Sequence, residues 1–243
     1  RQAGHSFFTC WMGNNDVLGI ATNGGVEESI NFLGLDIAIY QFTDISEFRE
    51  KYDSLLASLT SGGAKGVCAT LPNIMSIPYF STITPSYFDK DVWIETGTGN
   101  IRKAIDGDLL LLSTKSVIED LNGTSSTNPA PNTGVIDVAE AAEISSYVIA
   151  YNEQIKASAE KYNVPVVDMY SFFESFPDGI TVDGVTLTQK YIEGGAMSLD
   201  GIHPNPRGHA LIANEFIKAI NNHYFSTIPL VSVGEYPGIM FPN

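Results

Sequence analysis

The first apolar run of the chain reads Ser6-Phe7-Phe8-Thr9-Cys10-Trp11, and Met12-Gly13-Asn14-Asn15-Asp16 follows it directly. A continuous run of apolar and β-branched residues that ends in a Gly/Asn segment is typical of a buried parallel strand followed by a loop. The residues after Trp11 are therefore predicted to lie at the carboxyl end of a strand. In open α/β sheets, this is the edge at which ligands bind.

The next segments predict a strand–helix–strand unit. Apolar residues at helical spacing between Ile45 and Leu59 predict a helix, which Asp44 or Ser46 can cap and which Gly62-Gly63 ends. The apolar stretch from Lys65 to Pro72 then predicts a second buried strand. This succession indicates an α/β fold built on a mainly parallel sheet.

The pattern changes over about residues 72–134, where Pro, Gly, Thr and aromatic residues surround short strand-like pieces such as 92–95 and 109–112. We expect a β-rich insertion there, within a single domain over residues 1–243. The α/β pattern then resumes with a helix from Ile144 to Tyr162, a strand at Val164–Asp168, a hairpin at Ile180–Thr188 and a final helix at Pro206–Asn221.

Composition excludes several classes of function. A chain with 44% hydrophobic and 17% charged residues is globular, and a net charge of -15 argues against nucleic acid as a partner. There is no apolar run long enough for a membrane span, and the first residues do not form a signal peptide. The two cysteines, Cys10 and Cys68, are too few for a disulfide framework or a metal site, so we expect buried core thiols; the alternative is a disulfide between them if their strands are neighbours.

His203 stands out among the four histidines because it follows Asp200 in the loop segment Asp200-Gly201-Ile202-His203. A histidine that removes a proton from a nucleophile must be held in place by a carboxylate that fixes its tautomer. The alternative is a purely structural turn capped by Asp200. A two-metal phosphoesterase site would need several convergent histidines and acids, so we expect no metal.

Asn15 is the second candidate site residue. In the segment Gly13-Asn14-Asn15-Asp16 its side-chain amide would point into the crevice at the strand ends, with Asp16 bracing the loop. An ordinary Asn/Gly turn is the alternative. Because both candidate loops are predicted at strand ends of one sheet, a site shared by Asn15 and His203 is a reasonable hypothesis.

Gly13-x-Asn15-Asp16 and Asp200-x-x-His203-Pro204 together resemble the third and fifth sequence blocks of the GDSL/SGNH hydrolases. The resemblance covers essentially the whole chain, and the flanking residues are similar to a branch of secreted, lipase-like members. It implies a three-layer, flavodoxin-like fold and a serine ester hydrolase without a cofactor. By the same resemblance His203 would be the catalytic base, Asp200 its orienting acid and Asn15 an oxyanion-hole donor, while Gly13 would shape the loop.

The family's Gly-Asp-Ser nucleophile block and its second block are not found. The Gly107-Asp108 pair is followed by Leu109 in an apolar run, and there is no Gly-x-Ser-x-Gly segment. The expectation is therefore a carboxyl-terminal part of such a hydrolase, which lacks its first strands and takes its serine from outside the chain. An amino-terminal segment or a second copy would complete the sheet.

The resemblance also implies a substrate and a location. The substrate would be a small-molecule, lipid or carbohydrate ester, and the protein would be secreted, periplasmic or at the cell surface. The alternative, from a different class, is a catalytically inactive binding or structural module built on a hydrolase scaffold.

Overall fold

The computed structural model of the protein describes residues 4–32, 35–120 and 123–239. None of the helices within these ranges combines the length and apolarity needed to cross a bilayer. The strands are β1 (Phe7–Cys10), β2 (Glu28–Phe32), β3 (Leu35–Tyr40), β4 (Lys65–Ala69), β5 (Trp93–Glu95), β6 (Ile101–Lys103), β7 (Leu109–Leu110), β8 (Val135–Ile136), β9 (Val166–Val167), β10 (Ile180–Val182) and β11 (Val185–Leu187). The helices are α1 (Asn15–Thr22), α2 (Ile45–Thr60), α3 (Pro78–Ser81), α4 (Thr114–Glu119), α5 (Val138–Lys161), α6 (Met169–Glu174) and α7 (Pro206–Tyr224). Short 3-10 helices span Ile74–Ser76, Pro85–Tyr87, Asn132–Gly134, Phe176–Asp178 and Val233–Glu235.

The chain folds into two compact units. The first comprises residues 1–13, 43–73 and 149–243, and the second comprises residues 14–42 and 74–148. The single domain over residues 1–243 and the insertion over residues 72–134 stay predictions.

The first unit is built on a parallel sheet, as the sequence predicted. Three strands lie in the order β1-β4-β9, with Phe7 opposite Lys65 and Cys68 opposite both Cys10 and Val166. The predicted helix between β1 and β4 is present as α2, and Asp44 caps it by accepting hydrogen bonds from the amides of Ser46 (2.8 Å) and Glu47 (3.2 Å).

Helices cover both faces of this sheet. Cys10 Sγ lies 3.7 Å from the phenol oxygen of Tyr52 in α2, whereas the ring of Phe7 meets the ring of Tyr224 in α7 edge to face at 5.9 Å. Successive side chains of a strand point to opposite faces, so Phe7 and Cys10, three residues apart, point to opposite faces of the sheet. The first unit therefore has three layers, with α2 and α7 on opposite sides.

The two cysteines lie directly opposite each other on β1 and β4. Both are free thiols, and both are buried, as the sequence analysis expected. They fill the interior between β1, β4 and α2, where Cys10 contacts Tyr52.

The second unit contains three antiparallel strand pairs, β2–β3, β5–β6 and β7–β8. The predicted strand-like pieces at 92–95 and 109–112 correspond to β5 and β7. Next to β7, the buried carboxylate of Asp108 accepts two hydrogen bonds from Arg102, at 2.6 and 2.9 Å. The Gly107-Asp108 pair therefore has a structural role. The unit's core is formed by Ile83, Val92, Ile94, Leu110, Ile118, Ala130 and Val135.

Several elements of the second unit were not anticipated from the sequence, among them the helices α1, α3 and α4. Another is the two-stranded ribbon of β2 and β3, in which Ile30 lies opposite Ile37. Both isoleucines are exposed, so the ribbon gains little from burial of these side chains. Backbone pairing, and not burial of these two isoleucines, distinguishes this segment from a loop.

Candidate active site

The end of β1 is fixed by contacts that require glycine at position 13. Gly13 has a φ of +112°, which L side chains rarely adopt, and a Cβ atom there would lie 3.0 Å from the ring of Phe48 and 3.2 Å from Leu71. Nearby, the indole of Trp11 donates a hydrogen bond of 3.0 Å to the carbonyl of Thr70 at the end of β4. Gly13 therefore lets the chain turn closely against α2, and its loop-shaping role in a catalytic site stays a prediction.

The sequence predicted that Asn15 lies in a loop. In the structure it is instead the first residue of helix α1. The helix begins early because the carbonyl of Asn14 already accepts a hydrogen bond of 2.9 Å from the amide of Leu18. The side chain of Asn15 is exposed. Asn15 belongs to the second unit, whereas Gly13, Asp200 and His203 belong to the first.

Asp200 and His203 form the pair that their spacing predicted. His203 Nδ1 lies 2.7 Å from Asp200 Oδ2. With Asp200 ionised, Nδ1 carries the proton and donates a hydrogen bond to the carboxylate, so Nε2 is left with a lone pair. The His203 side chain is 72% exposed. A neutral imidazole held in this tautomer, with Nε2 as acceptor, is the form that a general base requires.

The loop that carries the pair is closed by its own backbone. The amide of Ser198 donates to the carbonyl of His203 at 2.8 Å, and the amide of Gly201 donates to the carbonyl of Ser198 at 3.1 Å. Gly201 adopts a left-handed φ of +72°, which completes the turn. From outside the loop, the hydroxyl of Tyr191 donates to the carbonyl of Leu199 at 2.7 Å. These bonds fix the distance between Asp200 and His203.

Asn205 connects this loop to α7. Its side-chain amide donates to the carbonyls of Gly195 (2.9 Å) and Met197 (3.2 Å), and its Oδ1 accepts from the amide of Gly208 (3.0 Å). Asn205 is thus both the N-cap of α7 and a brace for the strand-like segment before Asp200. This role of Asn205 was not predicted from the sequence, although Asn followed by Pro at a helix start is a recognisable capping signal.

Ser198 is a further residue that the sequence analysis missed. Its hydroxyl donates a hydrogen bond of 2.6 Å to Asp200 Oδ1. The same oxygen accepts hydrogen bonds from the amides of Ile202 and His203, both at 2.9 Å. Burial by itself would raise the pKa of Asp200, but these hydrogen bonds and the one from the His203 ring together hold that pKa well below its ordinary value. Asp200 is therefore ionised at neutral pH.

Ligands for a metal do not converge in the part of the chain that the structure describes. Among residues 4–32, 35–120 and 123–239, no group of three His, Cys, Asp or Glu side chains is placed to hold an ion. His5 is engaged elsewhere, since its Nε2 lies 2.8 Å from the carbonyl of Leu59. An Asp–His pair with this geometry is able to transfer a proton.

Comparison with known proteins identifies the family. The sequence model of the GDSL-like Lipase/Acylhydrolase family matches residues 1–216, a range that includes Gly13, Asn15, Asp200 and His203. A search of the curated proteins gave no match, and neither did a search of the solved structures. The family match covers most of the chain and agrees with the parallel sheet of the first unit. The chain therefore belongs to the GDSL-like lipase/acylhydrolase family, a family of hydrolases that act on esters.

Proposed function

We propose that the protein is a serine-dependent acyl ester hydrolase in which His203 is the general base and Asp200 orients it. One observation carries the proposal: the 2.7 Å contact between His203 Nδ1 and Asp200 Oδ2, on a side chain whose ring is largely exposed. Family membership supports ester substrates in general.

In the proposed reaction, Nε2 of His203 accepts the proton of a serine hydroxyl as the serine oxygen attacks the ester carbonyl. Asp200 stabilises the imidazolium that forms, because its carboxylate faces Nδ1. Asn15 donates its side-chain amide to the oxyanion of the tetrahedral intermediate. The imidazolium then protonates the leaving alcohol, and water releases the acyl group from the serine by the same sequence of steps.

We propose that the serine comes from outside this chain, either from an amino-terminal segment or from a second copy. Two observations support this. The Gly107-Asp108 pair, the one in the sequence that could begin a Gly-Asp-Ser block, is followed by leucine, and its carboxylate is held by Arg102. Within the described residues β1 pairs with β4 alone, so a further strand could pair with its other side.

For substrate and location, the proposal is a small-molecule, lipid or carbohydrate ester and a secreted, periplasmic or cell-surface protein. The net charge of -15 makes nucleic acid an unfavourable partner. The proposed reaction uses neither a metal nor another cofactor.

The test is hydrolysis of p-nitrophenyl esters of graded acyl length by the full-length protein. We expect His203→Ala to lower kcat by roughly 10³-fold or more, because removal of the base leaves only binding and the oxyanion hole. His209→Ala is the matched control: His209 lies on α7, is exposed and should leave the rate within about twofold. Equal rates for the wild type and His203→Ala would refute the role of His203.

The same experiment distinguishes the alternative function. If the full-length protein hydrolyses none of these esters and its coding sequence contains no Gly-Asp-Ser segment, the protein is a binding or structural module on a hydrolase scaffold. The Arg102–Asp108 ion pair is compatible with both functions, because it shows only that the Gly-Asp pair of this chain has a structural role.

A further inference from the structure

We propose that Ser198 is a positioning residue for the Asp200–His203 pair: its hydroxyl holds one oxygen of Asp200, so that the other oxygen faces the imidazole. This inference rests on the proposed function, since it concerns how the general base is oriented. It adds a residue that lies outside the Asp-x-x-His motif.

The two carboxylate oxygens of Asp200 have separate partners. Oδ1 accepts three hydrogen bonds, from the Ser198 hydroxyl at 2.6 Å and from the amides of Ile202 and His203 at 2.9 Å each. Oδ2 accepts from the ring of His203 at 2.7 Å. Because Oδ1 is saturated, rotation of the carboxylate would break all three of its bonds at once.

Ser198 can hold this position because its own backbone is fixed on both sides. Its amide donates to the carbonyl of His203 at 2.8 Å, and its carbonyl accepts from the amide of Gly201 at 3.1 Å. The residue before it, Met197, is buried and lies opposite Pro204 in a short antiparallel backbone pairing at the base of the loop. The hydroxyl is therefore presented to Asp200 by a rigid turn, and little rotamer freedom is left to be lost.

A neutral donor suits this place better than a cation. A lysine or arginine at Oδ1 would also keep Asp200 ionised, but its charge would repel the imidazolium that forms when His203 accepts a proton. The hydroxyl stabilises the carboxylate without that repulsion. The ring of His203, which becomes charged in the proposed reaction, contacts the other oxygen, Oδ2.

The experiment compares Ser198→Ala, Ser198→Thr and Tyr191→Phe in the full-length protein. The first removes the hydroxyl and the second retains one. The third removes a different hydrogen bond to the same loop, the one to the carbonyl of Leu199, without touching Asp200. The carboxyl titration of Asp200 is followed by ¹³C NMR, and kcat and KM are measured on p-nitrophenyl esters.

We expect Ser198→Ala to raise the titration midpoint of Asp200 by about one pH unit and to lower kcat roughly tenfold. KM should stay within about twofold, because Ser198 orients the base and is not proposed to bind substrate. Ser198→Thr, which retains a hydroxyl, should keep both the titration midpoint of Asp200 and kcat close to the wild-type values. Tyr191→Phe should leave the Asp200 titration unchanged even if the loop is destabilised.

Two results would overturn the inference. One is an Asp200 titration that is the same in Ser198→Ala and the wild type, and the other is an unchanged kcat in an otherwise active enzyme. If no variant, the wild type included, hydrolyses esters, the proposed function fails, and the titration still decides whether Ser198 controls the carboxylate.

Discussion

Gly13→Ala should destabilise the first unit strongly, for two reasons that add. A non-glycine residue at a φ of +112° pays about 1–3 kcal/mol in backbone strain. The new methyl group would also lie 3.0 Å from Phe48 and 3.2 Å from Leu71, which are both packed in the core, and overpacking of this kind costs about 1–3 kcal/mol. We therefore expect a total loss of about 2–6 kcal/mol in the free energy of unfolding.

Gly63→Ala is the matched control that separates backbone strain from overpacking. Gly63 has a φ of +77°, and no atom lies within 4 Å of a Cβ atom placed there, so this substitution should cost only the backbone term of about 1–2 kcal/mol. Both variants would be compared with the wild type by urea unfolding at 25 °C, followed by tryptophan fluorescence. A Gly13→Ala variant no less stable than Gly63→Ala would show that the close approach to Phe48 and Leu71 is not a constraint.

Two further predictions concern the second unit. Burial raises the pKa of Glu140 to about 7 while its carboxylate accepts a hydrogen bond from the amide of Asp137, so the folded protein holds this proton more tightly than the unfolded chain does. The free energy of unfolding should then fall by about 1–3 kcal/mol between pH 5 and pH 8. Glu140→Gln retains an oxygen that can accept the hydrogen bond from the Asp137 amide, and urea unfolding of this variant should depend less on pH. An equal pH dependence in both proteins would contradict the raised pKa of Glu140. Arg102→Met should cost about 3–5 kcal/mol, because it leaves the buried carboxylate of Asp108 without its cation, whereas Lys115→Met, at an exposed pair with Glu119, should cost less than about 1 kcal/mol. Similar losses in the two variants, measured by the same unfolding assay, would argue against that explanation.

The parts of the fold that were predictable carry local signals. The apolar run before Gly13 and the capped periodic helix after Asp44 both specify their structure within a few residues, and both form as expected. The Asp200–His203 pair was also accessible, because its two members are three residues apart in one turn and the turn brings them together without help from distant segments.

The parts of the fold and site that were not predicted either lack a local sequence signal or depend on contacts that only the folded structure shows. Helix α1 begins at Asn15 without a side-chain cap from Asn14, so the usual capping signal is absent and the polar segment resembles a loop. Asn205 reaches the carbonyl of Gly195, ten residues earlier, a contact that no short-range pattern encodes. Ser198 lies only two residues before Asp200, but its importance follows from which carboxylate oxygen its hydroxyl contacts, and the sequence does not show that.

The paired cysteines provide a built-in probe for the local opening of β1 and β4. Cys10 and Cys68 are 4% and 0% exposed and face each other across the two strands. A thiol reagent in solution can reach them only when the strand that leads to Gly13 separates from its neighbour or when α2 lifts away. The rate of alkylation of these thiols in the native protein therefore measures how often this part of the sheet opens, and no probe has to be introduced. The proposed ester hydrolysis and thiol protection can be followed in the same sample, so the loss of one can be compared with the loss of the other.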